Sequence, residues 1–301
     1  MPPPTLPPHE ILEEGNPREG KLRSIRFNDW TITSRKAPIL NSTEIESAQT
    51  DLGIPLPEMI FGHNHLTFEH KHGFRLEFRA LDALRRVDST SESSEMIKVA
   101  YAEEWTSKSN TSHEDIKDVI KPYDWTFSTD YKGSHVGVVD GQQFESTTDL
   151  IDIEKLKVPD PILFYEDNIL YEDELADNGT ALLNVRLRVM PTCFFLLQRF
   201  FLRVDEVLFR MNDTRVYHEF GSTHILREYS SREDHYAKIR AMWCVGVPRI
   251  LELSRLPNLI LTSLPANPAI QGRGYLTSNG SQLDLSRAPT AAEGGHSARE
   301  S

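Results

Sequence analysis

The chain has 301 residues, 39% of them hydrophobic and 26% charged, with a formal net charge of -12. That balance belongs to a folded globular protein, and it gives nucleic acid or an anionic membrane nothing to gain from counterion release or surface attraction. Only Cys193 and Cys244 are present, in no paired motif, which argues against a disulfide scaffold or a cysteine zinc site and fits a reducing compartment; the expected location is the cytoplasm, with the nucleus as a second.

No charge-free apolar run reaches the ~18 residues of a membrane span, and the N-terminus lacks the basic-then-apolar order of a secretory signal. Met1 to Glu19 is dominated by Pro and Glu, and Asn267 to Ser301 by Gly, Ser, Ala and isolated charges. Neither has an apolar face to bury, so residues 1–20 and 266–301 are expected to be disordered tails around a single domain over 21–265. Within it, Lys21 to Arg35 reads as a first strand pair or a bent strand through Ile25, Phe27, Trp30 and Ile32. Ser42 to Leu52, with Thr43 and Glu46 at capping-box spacing and Gly53 at its end, reads as a helix. Leu66 to Glu69 and Phe74 to Phe78 alternate around His72-Gly73 as a hairpin. Ala80 to Val87 has helical composition and places Asp82 in a first turn, where capping by the helix dipole is the plain explanation for an acid.

Asp88 to Glu95 is a serine-rich polar loop, followed by a strand from Met96 to Trp105, a second polar loop and a helical turn or two over Glu114 to Ile120. Tyr123, Trp125 and Phe127 alternate toward a turn at Gly133, and Val136 to Phe144 reads as a hairpin tip. Asp152 is placed to cap a short helix over Ile153 to Lys157, and Ile162 to Tyr165 and Ile169 to Tyr171 are expected as short strands around an Asp167-Asn168 turn. From Asp140 to Asn178 twelve acids face only Lys155 and Lys157. Such a run is either a solvated face or a field that steers a basic partner.

Leu182 to Tyr217 is the most apolar part of the chain and its expected core. Leu183, Val185, Leu187 and Val189 alternate with Asn184, Arg186 and Arg188, the period of a half-buried strand. Phe194 to Val204 is nearly continuous in apolar residues. It reads as a strand covered on both faces, although spacing also allows a buried helix. Asp205-Glu206 then sits where a two-residue hairpin turn would, with a second strand over Val207 to Met211 ending in Asn212-Asp213-Thr214-Arg215. If that strand stays extended, Met211 and Asp213 share a face suited to recognising a protein segment; otherwise the polar residues form a local turn. Thr223 to Tyr229 reads as a further strand and Ser231 as the cap of a helix over Arg232 to Val245. The expected class is α+β, a mainly antiparallel β core, two-layered and sandwich-like, with short peripheral helices.

Phosphate loops, dinucleotide fingerprints, H-E-x-x-H and G-x-S-x-G are all absent from the sequence, which leaves no standard catalytic signature. One metal reading remains: His63, His65, His70 and His72 form two His-x-His pairs that a hairpin could bring together, giving a metal-dependent hydrolase or metal-binding protein as the alternative. Glu172 and Glu174 would share a strand face, but no nucleophile lies near them in sequence. Arg186, Arg188, Arg199, Arg203 and Arg210 lie in apolar strands and must find acidic partners.

PEMIFG at Pro57 to Gly62, AEEW at Ala102 to Trp105, KPYDWTFSTDYKG at Lys121 to Gly133, YEDEL at Tyr171 to Leu175, RVMP at Arg188 to Pro191, RMNDTR at Arg210 to Arg215 and LREYSSRE at Leu226 to Glu233 resemble the TOR signalling pathway regulator-like family (TIPRL), whose motifs they follow in order. The N-terminal extension and serine loop look like those of a fungal-type member. The resemblance implies an antiparallel β core and a protein with no enzymatic activity and no cofactor. It further implies binding to the catalytic subunits of type 2A-family serine/threonine phosphatases in TOR signalling, alongside other phosphatase-associated proteins of that pathway. By motif, its phosphatase contacts fall on Asp82, Ile151, Met211 and Asp213. Asp213→Arg is accordingly expected to leave the fold intact while weakening capture.

Overall fold

Glu10–Asn16 (β1), Gly20–Phe27 (β2) and Trp30–Lys36 (β3) form successive antiparallel hairpins. The turn from β2 to β3 is Asn28-Asp29, with φ of 46° and 65°, the left-handed pair that a tight hairpin requires and that Asn and Asp tolerate best. The computed structural model describes residues 6–16, 19–87, 127–135, 144–157, 159–175, 177, 179–243 and 272–276. β1 differs from the expectation of a tail. It pairs with β2 from Glu10↔Arg26 to Asn16↔Gly20, and Glu13 meets both Arg23 and Lys21. An edge strand wet on nearly every side chain needs backbone partners but no apolar stripe, so its composition reads as tail.

Ser42–Leu52 is the expected helix (α1), with Gly53 at φ 69° closing it in the left-handed conformation that favours glycine. Its capping box lies at Asn41 and Glu44: Asn41 Oδ1 accepts from the Glu44 amide at 3.0 Å, and Glu44 Oε2 accepts from the Asn41 amide at 2.9 Å. Thr43 and Glu46 have the same spacing but start two residues too late. Met59–Ile60 (β4), His65–His70 (β5), Arg75–Arg79 (β6), the five-residue helix Ala80–Leu84 (α2) and Ser134–His135 (β7) follow. Among the described residues the first sheet runs β1-β2-β3-β5-β6-β7.

The second sheet is built from Phe144–Ser146 (β8), Phe164–Asp173 (β9), Gly179–Val189 (β10), Cys193–Val204 (β11), Leu208–Glu219 (β12), Ile225–His235 (β13) and Gly272–Leu276 (β14), with the helix Tyr236–Trp243 (α3) after β13. Its order is β4-β9-β10-β11-β12-β13-β14-β8. β14 lies in the stretch expected to be a C-terminal tail and pairs with β13 from Ile225↔Leu276 to Tyr229↔Gly272. The alternation in β10 holds, with Leu183, Val185, Leu187 and Val189 at 0% exposure. β11 is a strand, which removes the helical alternative.

Three boundaries differ from expectation. β9 runs straight through Asp167-Asn168, because the Asn168 amide turns inward to donate to Ser34 Oγ at 3.0 Å and His65 O at 3.2 Å. β12 continues through Asn212-Asp213-Thr214 to Glu219, since the Asn212 and Asp213 side chains find partners off the strand instead of forming a local turn. β13 extends to His235, so α3 begins at Tyr236 and Ser231 is a strand residue rather than a cap. Asp152 does accept from the Glu154 amide at 3.0 Å, ahead of a single 3-10 turn at Lys155–Lys157. The strand expected at Met96 to Trp105, the helix at Glu114 to Ile120, both polar loops, the Val136 hairpin tip and Cys244 lie outside the described residues.

The core lies between the sheets. Ile25, Ile32, Phe68 and Phe78 of the first pack with Leu183, Val185, Phe194 and Val216 of the second, each worth about 1.5–3 kcal/mol in burial. One carboxylate is enclosed there too: Glu166, 1% exposed, receives Arg23, Lys36 Nζ at 2.9 Å and Ser34 Oγ at 3.2 Å. Buried Asp173 likewise accepts from the amides of Glu58 and Leu175 at 2.8 and 2.6 Å. The acid-rich run is therefore not one solvated face, for two of its members hold the fold together.

Candidate functional site

Strand alternation divides β12 between two surfaces. Leu208 and Val216 enter the intersheet core, Arg210 Nη1 donates to Ser128 Oγ at 2.6 Å and Asn212 Nδ2 to Thr129 O at 3.1 Å, so even-numbered residues face inward. Met211 and Asp213 therefore point to the outer face of the second sheet. There the Asp213 carboxylate accepts both Nε and Nη2 of Arg199, at 2.7 and 2.8 Å, with side-chain exposures of 1% and 7%. Arg215 stands 3.7 Å from Asp213 and 3.8 Å from Glu228. Glu228 Oε1 in turn accepts from the Ile151 amide at 2.9 Å.

Ile151, itself 4% exposed, packs with Met190, Cys193, Tyr217 and Leu226 in a small cluster separate from the main core. Three of the four residues singled out in the sequence thus lie on one face, and an ion-pair ladder runs from Asp213 through Arg215 and Glu228 to Ile151. The expectation that Met211 and Asp213 form an exposed recognition edge is corrected, since each is 1% exposed. So is the expectation for Asp213→Arg. A third cation would stand beside Arg199 and Arg215, and the carboxylate that accepts Nε and Nη2 of Arg199 would be gone, which destabilises this buried face. Arg215 and Glu228 were not singled out from the sequence, and their connection depends on the pairing of β12 with β13, Arg215↔Glu228.

Asp82 is elsewhere. It accepts from Arg85 Nη1 at 3.0 Å and from Ser134 Oγ at 2.7 Å, and it lines a cleft of about 460 Å³ on the inner side of β13, with Arg85, Arg86, Asp130, Lys132 and Arg227. The backbone of Gly133 in this cleft has φ of 89°, and a Cβ there would come within 2.9 Å of the Phe78 ring, so the chain passes only because the side chain is absent. The sheet separates Asp82 from the other three.

The histidines do not form a ligand set. β5 holds the two pairs at its opposite ends, with His63 bonded to Glu44 at 2.9 Å on the surface and His70 buried against Trp30. No group of three or more metal-ligating side chains occurs among the described residues. Burial is the main cause that lowers both His70 and His218 to about 4. Burial, then Glu174, raises Glu172.

Fold and side chains define a two-sheet, mainly antiparallel protein in which buried charged side chains such as Arg199, Arg210, Asp213 and Glu166 are paired with opposite charges. The TIP41-like family model matches residues 59–240, a span that holds all four residues above. The chain is 48% identical over 249 residues to a human "TIP41-like protein", covering 82% of this chain and 88% of the relative. It is 42% identical over 234 residues to the "Type 2A phosphatase activator TIP41" of Saccharomyces cerevisiae, covering 72% and 65%. The "Type 2A phosphatase activator tip41" of Schizosaccharomyces pombe is 35% identical over 226 residues, covering 75% and 88%. The chain belongs to the TIP41-like family, as its motifs had indicated.

Proposed function

We propose that this protein is a non-catalytic regulator that binds the catalytic subunits of type 2A-family serine/threonine phosphatases and acts in TOR signalling. The observation that carries this reading is the identity to two fungal relatives named as type 2A phosphatase activators. The proposed contact surface is the outer face around Ile151, with Met211 and Asp213 as its buried floor and Asp82 as a separate contact. Two features support a protein partner there: exposed Leu150 and Ile153, at 61% and 53%, flank Ile151, and the ladder Asp213-Arg215-Glu228 fixes the segment that carries them. Apolar residues on a rigid polar framework are the usual anchors of a protein interface.

Capture from extract, read by mass spectrometry, tests the reading. Wild-type protein is expected to retain type 2A-family catalytic subunits, and a Leu150→Asp/Ile153→Asp double variant of unchanged melting temperature is expected to lose them. Retention by neither, or equal retention by both, would overturn it. A His63→Ala/His65→Ala variant is expected to capture as wild type does, whereas loss would favour the histidine-based alternative.

A further inference from the structure

Asp82 is held from two sides. Arg85 Nη1 reaches its Oδ1 at 3.0 Å, but the arginine side chain is 60% exposed, so water and salt weaken that grip. Ser134 Oγ reaches Oδ2 at 2.7 Å from a part-buried position. A carboxylate only accepts, so the single hydroxyl proton of Ser134 goes to Asp82. At the 2.9 Å contact between Ser134 Oγ and Tyr131 Oη the tyrosine is therefore the donor. Its proton lies between Ser134 Oγ and Glu77 O, 3.0 Å from Oη, and Tyr131 Oη accepts from the Arg79 amide at 3.2 Å. Donation thus runs one way, from the Arg79 amide through Tyr131 and Ser134 to Asp82, and in a chain so directed each bond polarises the next.

The chain of hydroxyls stands on fixed parts. Tyr131 is buried, Gln198 Nε2 donates to its carbonyl, and Thr129 Oγ1 donates to Ala83 O at 2.8 Å, which ties residues 129–131 to α2. β7 pairs with β6 at Glu77↔Ser134, directly after Gly133, where the Phe78 ring leaves no room for a side chain. Among the described residues the hydrogen-bond partners of the Asp82 carboxylate are Arg85 and Ser134, and at 25% exposure it keeps lone pairs open to a further donor.

We propose that Ser134 is a positioning residue for partner recognition, holding the Asp82 carboxylate in one orientation for a hydrogen-bond donor of the bound phosphatase subunit. A group ordered before the partner arrives does not have to be ordered by it, and that saving appears as affinity. Ser134 acts only through Asp82, so the proposal rests on the reading of Asp82 as a phosphatase contact.

A double-mutant cycle on the affinity of a purified type 2A catalytic subunit for the full chain tests it, with melting curves recorded for each variant. Asp82→Ala is expected to weaken binding at least about tenfold, and Ser134→Ala roughly fivefold. Added to Asp82→Ala, Ser134→Ala is expected to change affinity by less than about twofold, because the group it positions is gone. Ser134→Thr keeps the hydroxyl and is expected to bind within about twofold of wild type. Tyr131→Phe, which keeps the ring and removes the donor behind Ser134, gives a second cycle with the same dependence on Asp82. Losses of equal size with and without Asp82, wild-type affinity in folded Ser134→Ala, or equal losses in Ser134→Thr and Ser134→Ala would overturn the positioning role. If Asp82→Ala binds as wild type does while Leu150→Asp/Ile153→Asp does not, the positioning role falls and the outer contact face stands. If neither loses affinity, the phosphatase reading falls and the positioning role with it.

Discussion

Asp213 and Arg199 face each other on β12 and β11 with almost no access to water, and removing Asp213 takes two charge-assisted hydrogen bonds from the buried Arg199. Breaking such a pair costs about 3–5 kcal/mol, whereas replacing both members with apolar residues of similar volume is often near neutral. Asp213→Ala is therefore expected to lower unfolding stability by about that amount in denaturant titration, and Arg199→Met/Asp213→Leu to recover most of it. If the single and double variants lose equal stability, the pair is not what holds this face. Loss of phosphatase capture in Asp213→Ala alone would report unfolding as much as recognition. The need of Arg199 for a partner was legible in the sequence, because a charged side chain in an apolar strand has to be paired. Which partner was not legible. A two-residue turn at Asp205-Glu206 would set Arg199 opposite Asn212, and only the observed register, Val204↔Leu208, sets it opposite Asp213.

That register is decided by one short loop. Val207 N bonds Val204 O at 3.0 Å, making a three-residue connection, and Glu206 carries it with φ of 63°. A non-glycine residue in the left-handed region costs on the order of 1–2 kcal/mol, against which its exposed bridge to Arg240 at 3.2 Å offsets at most about 1 kcal/mol. Glu206→Gly is thus expected to raise the melting temperature by a few degrees, measured by differential scanning calorimetry; a fall would show that the Arg240 bridge outweighs the strain. The alternation of β10 was plain from sequence because it buries one face at a regular period, and the helix α1 because cap chemistry and Gly53 mark its two ends. β1 and the continuity of β9 were not, because one has almost no buried face and the other places Asn168 inside, where its amide crosses to the opposite sheet.

At the scale of the whole molecule, the two sheets meet around Trp30, whose ring lies 4.9 Å from His70 and 5.1 Å from His218. Both histidines have folded-state pKa values near 4 against about 6.5 in the unfolded chain. The unfolded state binds more protons between those values, so their contribution to stability is complete above about pH 6.5 and is lost as pH falls toward 4. For His218, 1% exposed, the loss is on the order of 3 kcal/mol. Denaturant titrations across pH 4 to 7 should show stability falling with acid, with a shallower slope in His218→Gln; equal slopes would remove His218 from the account. The central claim concerns the opposite surface of the second sheet, where the family resemblance marked Ile151, Met211 and Asp213 and the structure joins Ile151 to Asp213 through Arg215 and Glu228. Its most direct test is the affinity of a purified type 2A catalytic subunit for wild-type protein and for Ile151→Ala, with melting curves recorded beside it. The account predicts at least tenfold weaker binding, about 1.4 kcal/mol, in a variant that still melts cooperatively. Affinity within twofold of wild type in that folded variant would contradict it.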